Sequence, residues 1–188
     1  LASFLISGSI SYLYYANRVF QLPLAIFAIA TSIALFPMIA KAIKNKDENR
    51  ALHLMKKSSL ILFAVLSTSM LIGIVFNEFI VKLLFERGAF NSVDTQNTAL
   101  ILTMYLMGLL PFGLAKIFSL WLYANEQQYL SAKISMKSLA WNIVFSLILI
   151  KPYGAAGLAF ASTLSGFILF FLTIKAFGFN KFITMYKK

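Results

Sequence analysis

The chain is 188 residues long, 60% hydrophobic and 12% charged, with 17 Lys and Arg against 6 Asp and Glu. With a mean hydropathy of +0.82, this composition excludes a soluble domain and fits an all-α, polytopic transmembrane helix bundle. The absence of cysteine rules out disulfides, thiol nucleophiles and cysteine metal sites, and the single histidine, His53, has no second imidazole with which to share a metal. The net charge of +11 does not read as a nucleic-acid surface, because the basic residues punctuate apolar segments in the manner of membrane loops. Leu1 already lies in an apolar run, so the expectation is a fragment of a longer protein.

Five membrane helices are expected, at about 7–40, 52–76, 98–123, 133–150 and 155–174. A helix needs roughly 20 apolar residues to cross a hydrocarbon core of about 30 Å. The first segment is too long for that; at 1.5 Å per residue it reaches roughly 50 Å, so it tilts, bends or protrudes. Pro23 and Pro37 are the expected bends, since each removes a backbone donor. The fourth segment is short and borrows the stretch holding Lys133 and Lys137, whose stems reach the surface. Ser92 is the expected cap of the third, with Asp94 in its first turn, and Glu78 and Lys82 form an i, i+4 pair. Asn142 is expected to bond across helices, and Gly154, Gly157, Ala161, Ser165 and Gly166 form a small flank for close packing.

The connectors set the orientation. Lys41, Lys44, Lys46, Arg50, Lys56 and Lys57 follow the first helix, Lys133 and Lys137 follow the third, and Lys175, Lys181, Lys187 and Lys188 follow the fifth. The alternate connectors hold only Lys82, Arg87 and Lys151. Positive-inside therefore places the first set, and the basic tail 179–188, in the cytoplasm. The remainder, 1–178, reads as one transmembrane lobe.

Within this apolar chain Arg18 stands out, because it is the only formal charge between Ser3 and Ala40. A cation at the centre of a membrane helix costs about 2.5–3.5 kcal/mol on insertion scales and is tolerated where it faces a cavity or a partner. Steps of three and four from Arg18 collect Phe4, Ser7, Ser11, Tyr14, Gln21, Ala25, Ala28 and Ser32, a polar or small face, with Asn17 beside it. Ile10, Leu13, Val19, Phe20, Ile26, Phe27 and Ile33 lie on the other side, which is expected to face lipid. Two readings stand: a cavity residue on a polar seam, or an interfacial anchor, since Arg18 lies roughly 34 Å from Lys41 along a straight helix and is flanked by Tyr14 and Tyr15. The seam favours the cavity. Lys116 is the second embedded cation; snorkelling explains it more simply than a secondary basic site does. The six acids sit at loops or helix ends, and no catalytic constellation, phosphate loop, cofactor motif or metal spacing appears, so no enzyme is expected.

The run GSISYLYYANRVFQLPLAIFAIATSIALFP, followed in order by KLLFERGAFNSVDT, YLMGLLPFGLAKIFSLWLYA and YGAAGLAFASTLSG, resembles the MurJ (MviN) lipid II flippases over nearly the whole chain. The resemblance implies a MATE-like fold of two six-helix lobes in a bacterial inner membrane, with this chain giving most of the C-terminal lobe. Residues 1–5 then end helix seven, and the five segments are helices eight to twelve. It also implies alternating access, with lipid II (an undecaprenyl-pyrophosphate-linked precursor) as substrate, membrane lipids around it, and an N-terminal lobe that supplies further cavity arginines. The pyrophosphate role of the YYANR arginine falls on Arg18, supported by Ser11, Tyr14, Asn17 and Gln21; a guanidinium suits it by forking onto two phosphate oxygens. Some relatives carry acids where this chain has Asn17 and Gln21, which leaves Arg18 without a carboxylate on its own helix. The loop NEQQYLSAK also departs from the DTRTP-like family form. The rival readings are a polysaccharide-lipid or drug exporter of the same superfamily, and a non-transporting membrane scaffold.

Overall fold

A computed structural model describes residues 8–187. Residues 1–5, expected to end a preceding helix, and Phe4 and Ser7 of the polar face lie outside the described residues. The first rod joins α1 (Ser9–Pro23), a π-helical turn (Leu24–Ile29) and α2 (Ala30–Lys44). α3 (Glu48–Val75) and the short α4 (Asn77–Phe85) follow, then α5 (Ser92–Leu106) and α6 (Leu109–Ala124). α7 (Gln128–Phe177) and α8 (Phe179–Lys187) complete the described residues. Four rods are long and apolar enough to cross a membrane: Ser9–Lys44, Glu48–Val75, Ser92–Ala124 and Gln128–Phe177. The last is two arms, 128–153 and 155–177, joined at Gly154. The arms pack against each other, with Ser138 Oγ donating to Ser165 O at 2.7 Å and Asn142 Nδ2 to Ser162 Oγ at 3.2 Å. Such bonds satisfy polar groups that lipid cannot.

The α5–α6 rod is the centre of the lobe. Over its most apolar stretch 56% of residues are buried, against 17% in the first rod, so the other helices wrap around it. Leu102, Leu109, Ile117, Phe118 and Leu122 form its buried seam, with Met55 and Leu66 of α3 and Ile39 of α2 in the same core.

Breaks in the rods follow from local chemistry. The third rod, expected to be continuous, divides at Met107–Gly108. Pro111 lies three residues on and has no N–H to give the preceding turn, and its ring crowds the carbonyl of Met107. The Met104 carbonyl instead accepts from Thr163 Oγ1 at 2.5 Å, which ties the break to α7. In the first rod Pro23 opens the π turn, where Ala30 N–H bonds Ala25 O five residues back. α2 runs α-helical through Pro37.

Two capping and pairing expectations are corrected. Asn91, not Ser92, caps α5: its side chain accepts from Val93 N (2.8 Å) and Asp94 N (3.2 Å), while Asp94 accepts from Asn91 N (2.8 Å). This reciprocal box satisfies more orphan donors than Ser92 could from inside the first turn. Lys82 pairs forward with Glu86 at 3.8 Å rather than back with Glu78, whose helix end lies beside Asn77. The fourth helix begins at Gln128, so Lys133 and Lys137 are exposed residues within it.

The α7 turn needs two glycines. Gly154 has φ 54° and ψ −130°, a region that a side chain excludes. At Gly157 a Cβ would stand 2.3 Å from the Leu149 carbonyl oxygen. Gly154→Ala and Gly157→Ala are each expected to destabilise the full-length protein by about 1–3 kcal/mol, seen as a lowered unfolding midpoint in detergent. Ala155→Gly, between them, should move it less.

Candidate functional site

α1 is held on α5 by one face. Ala16 is fully buried and Phe20 is 6% exposed, its ring 5.7 Å from Tyr105 and 6.2 Å from Phe112. Above this contact, Tyr12 donates its hydroxyl to Asp94 Oδ1 at 2.6 Å, a separation typical of a charge-assisted O–H···O bond. Tyr15 lies against Phe85 (4.7 Å), the last residue of α4, and Phe90 (5.5 Å), in the Glu86–Asn91 connector. Sequence reasoning missed this latch. Nothing in helical periodicity links positions 82 residues apart.

With that face turned inward, the other side of α1 is open. Ser11, Tyr14, Arg18 and Gln21 are exposed and Asn17 is half-buried. Arg18 Nη2 donates to the Tyr14 hydroxyl at 2.9 Å, and its Cζ lies 4.8 Å from the Tyr14 ring centre. This combined hydrogen bond and cation–π contact holds the guanidinium against α1. Gln21 Nε2 donates to Asn17 Oδ1. Among the described residues the ion pairs are Lys82–Glu86 and Lys181–Glu48, so Arg18 has no carboxylate partner. A guanidinium has five N–H donors; one meets Tyr14, and the others are available to an anion.

Depth follows from the latch. Tyr15 is level with the connector residues Phe85 and Phe90. Arg18, three residues further along, lies about 4.5 Å deeper into the bundle.

The polar stripe is shorter than its stepping suggests. Ala28 and Ser32 are buried, and Ser32 Oγ donates to Ala28 O at 2.7 Å. The π turn inserts one residue, which rotates everything after it by about 100° relative to a regular helix. The inward series Ser9, Ala16, Phe20 thus continues as Ala28, Ser32, Leu35 and Ile39. Phe20, expected to face lipid, belongs to the core for the same reason that Arg18 does not. Ile10, Ile26, Phe27 and Ile33 are exposed. Lys116 is exposed on α6, with Ser119 half-buried and Tyr123 exposed on its flank. No hydrogen bond or ion pair joins it to α1 among the described residues. Among those residues no cluster of His, Asp and Glu is placed to hold a metal.

These features define a multi-pass helical membrane protein in which one apolar rod carries a cationic, polar face. The family description Lipid II flippase MurJ matches residues 1–187. The chain is 54% identical over 187 residues to the probable lipid II flippase MurJ of Helicobacter pylori (strain J99 / ATCC 700824), covering 100% of this chain and 41% of that protein. It is 32% identical over 171 residues to the corresponding protein of Buchnera aphidicola subsp. Baizongia pistaciae, covering 91% and 33%. A solved structure, lipid II flippase MurJ in an inward closed conformation, superposes with a TM-score of 0.82 at 27% identity, over 98% of this chain and 41% of that one. The chain belongs to the MurJ lipid II flippase family. It spans about two fifths of the length of the Helicobacter pylori relative.

Breaking the latch tests how α1 is held. Tyr12→Phe leaves Asp94 its bond from Asn91 N and is expected to cost about 1–3 kcal/mol. In a double-mutant cycle with Asp94→Asn, unfolding of the full-length protein in detergent should show coupling above about 0.5 kcal/mol. Strict additivity would mean that the two side chains act independently.

Proposed function

We propose that this chain is most of the C-terminal lobe of a lipid II flippase of the bacterial inner membrane, acting by alternating access in peptidoglycan synthesis, and that Arg18 engages the substrate's pyrophosphate. Family membership supports the activity. The observation that carries the site is Arg18 itself: a permanent charge on an open polar face, held by Tyr14 and without a carboxylate partner among the described residues. In the closed cavity a second lobe would form, water is reduced and the guanidinium–phosphate attraction grows. Ser11, Tyr14, Asn17 and Gln21 form the neutral surround, which leaves the anion's charge to Arg18. Lys116 is assigned a secondary role as an interfacial basic residue. The reaction moves a lipid and makes or breaks no bond.

The loop charges support an orientation in which residues 41–57, the α6–α7 connector and the basic tail face the cytoplasm, with residues 1–178 as the membrane lobe. The Glu86–Asn91 connector and the mouth beside Arg18 then face outward.

Arg18→Ala in the full-length protein is expected to fail to rescue cells depleted of their flippase. Arg18→Lys should rescue partially, because a point charge replaces a two-pronged donor. Full rescue by Arg18→Ala at normal expression removes Arg18 from the mechanism. For orientation, Asn45→Cys in intact cells should resist an impermeant thiol reagent added from outside; rapid labelling reverses the assignment.

A further inference from the structure

α8 closes over the start of α3 at two fixed points. At one, Lys181 Nζ lies 2.8 Å from Glu48 Oε1 and 4.5 Å from the Trp121 ring centre. At the other, the Tyr186 and Ser59 hydroxyls are 2.6 Å apart, and burial pushes the Tyr186 hydroxyl above its usual range while the Ser59 bond opposes that shift. Eleven residues of α3 separate Glu48 from Ser59, about 16 Å of helix, whereas Lys181 and Tyr186 are about 7 Å apart along α8. Between these two pins α8 and α3 leave a gap. The gap is a cleft of about 520 Å³ lined by Asn49, Leu52, His53, Lys56, Thr184 and Met185.

The lining is sorted by chemistry. Asn49, His53 and Lys56 recur at i, i+4 and i+7, on one face of α3, and each offers an N–H donor. Leu52 and Met185 form an apolar wall. The nearby acids are engaged elsewhere: Glu48 with Lys181, and Asp47 with Arg50 N at 3.0 Å. Glu126, on the α6–α7 connector at the same end, makes no ion pair among the described residues. Lys56 is half-buried and has no carboxylate partner there. On α8, Phe179 and Ile183 are 51% and 47% exposed. An amphipathic helix that is basic and also exposes apolar side chains lies in the plane of the membrane interface.

We infer that the α3–α8 cleft binds the phosphate of an anionic phospholipid headgroup, with His53 and Lys56 on the phosphate oxygens and Leu52 and Met185 against the glycerol and first methylenes. This rests on the membrane placement proposed above and deepens it: the site is separate from the Arg18 face and at the opposite end of the lobe. A basic residue near an anionic surface is worth about a factor of five in binding, and one inside a shaped cleft should equal or exceed that.

The test is equilibrium binding of phosphatidylglycerol, labelled in an acyl chain, to the full-length protein in neutral detergent. Both protein faces are accessible there, so the result depends on neither flipping nor orientation, and failure of the site can be told from failure of the flippase reading. His53→Gln with Lys56→Gln is expected to weaken binding at least fivefold, while Lys44→Gln with Lys46→Gln, an equal or greater loss of charge outside the cleft, leaves it within twofold. Leu52→Trp, which fills the cleft without changing charge, should also weaken it. Equal losses in the two charge pairs would mean diffuse attraction and overturn the site. Competition by millimolar inorganic phosphate as strong as that by unlabelled phosphatidylglycerol would assign the cleft to a soluble phosphate and overturn the lipid.

Discussion

The close packing of α1 on α5 decides where Arg18 points. Ala16, with only a methyl group, allows the two helices to approach, and Phe20 fills the space one turn deeper between Tyr105 and Phe112. A helix has one rotation about its axis. With Ala16 and Phe20 inward, Arg18 and Tyr14 are turned to the outside of the lobe. The Tyr12–Asp94 bond then fixes the height of α1 along α5. Rotation and height together place a guanidinium that would otherwise be free to snorkel.

An exposed cation on an apolar rod is costly if lipid covers it. The same half of α1 keeps Ser11, Gln21 and Asn17 with it, and the Asn17–Gln21 bond reduces the polar atoms left without partners. In the proposed role this face meets a second lobe across an aqueous cavity, and the exposure of the charge becomes the means of binding. The neutrality of Asn17 and Gln21 matters here. A carboxylate at either position would pair with Arg18 and compete with an anionic substrate for its donors.

Much of this was legible in the sequence, up to a definite point. Composition and segment lengths were enough for a helical membrane bundle, and the stepping from Arg18 follows one exposed face from Ser11 to Ala25. It failed at Ala28 because stepping assumes 3.6 residues per turn, and the π turn after Pro23 breaks that assumption. Pro23 was visible and its bend expected, yet a proline does not announce whether the chain will kink or widen. The break at Met107–Gly108 had its signal in Gly108 and Pro111, which a hydropathy window averages away. Asn91 and Ser92 are both capping types, and only the reciprocal bond from the Asn91 N–H to the Asp94 carboxylate separates the two. The Tyr12–Asp94 latch and the α3–α8 pins join positions 82, 127 and more than 100 residues apart. Contacts of that range depend on the assembled bundle, and no local pattern encodes them.

The two ends of the lobe are fastened differently, and that difference bears on motion. At the end beside Arg18, one charge-assisted bond ties α1 to α5, and three aromatic rings in tilted and edge-on contact pack it against the α4–α5 connector. At the other end, α8 is pinned to α3 and α6 by an ion pair, a cation–π contact and a hydroxyl pair. Between them, the α5–α6 rod is broken at Gly108 but bonded to α7 through Met104 and Thr163. A lobe fixed at both ends and bridged across the break in its central rod resists internal shear. In the proposed role such a lobe would move as one unit, with Arg18 carried as a fixed point on its surface rather than swung by its own helix.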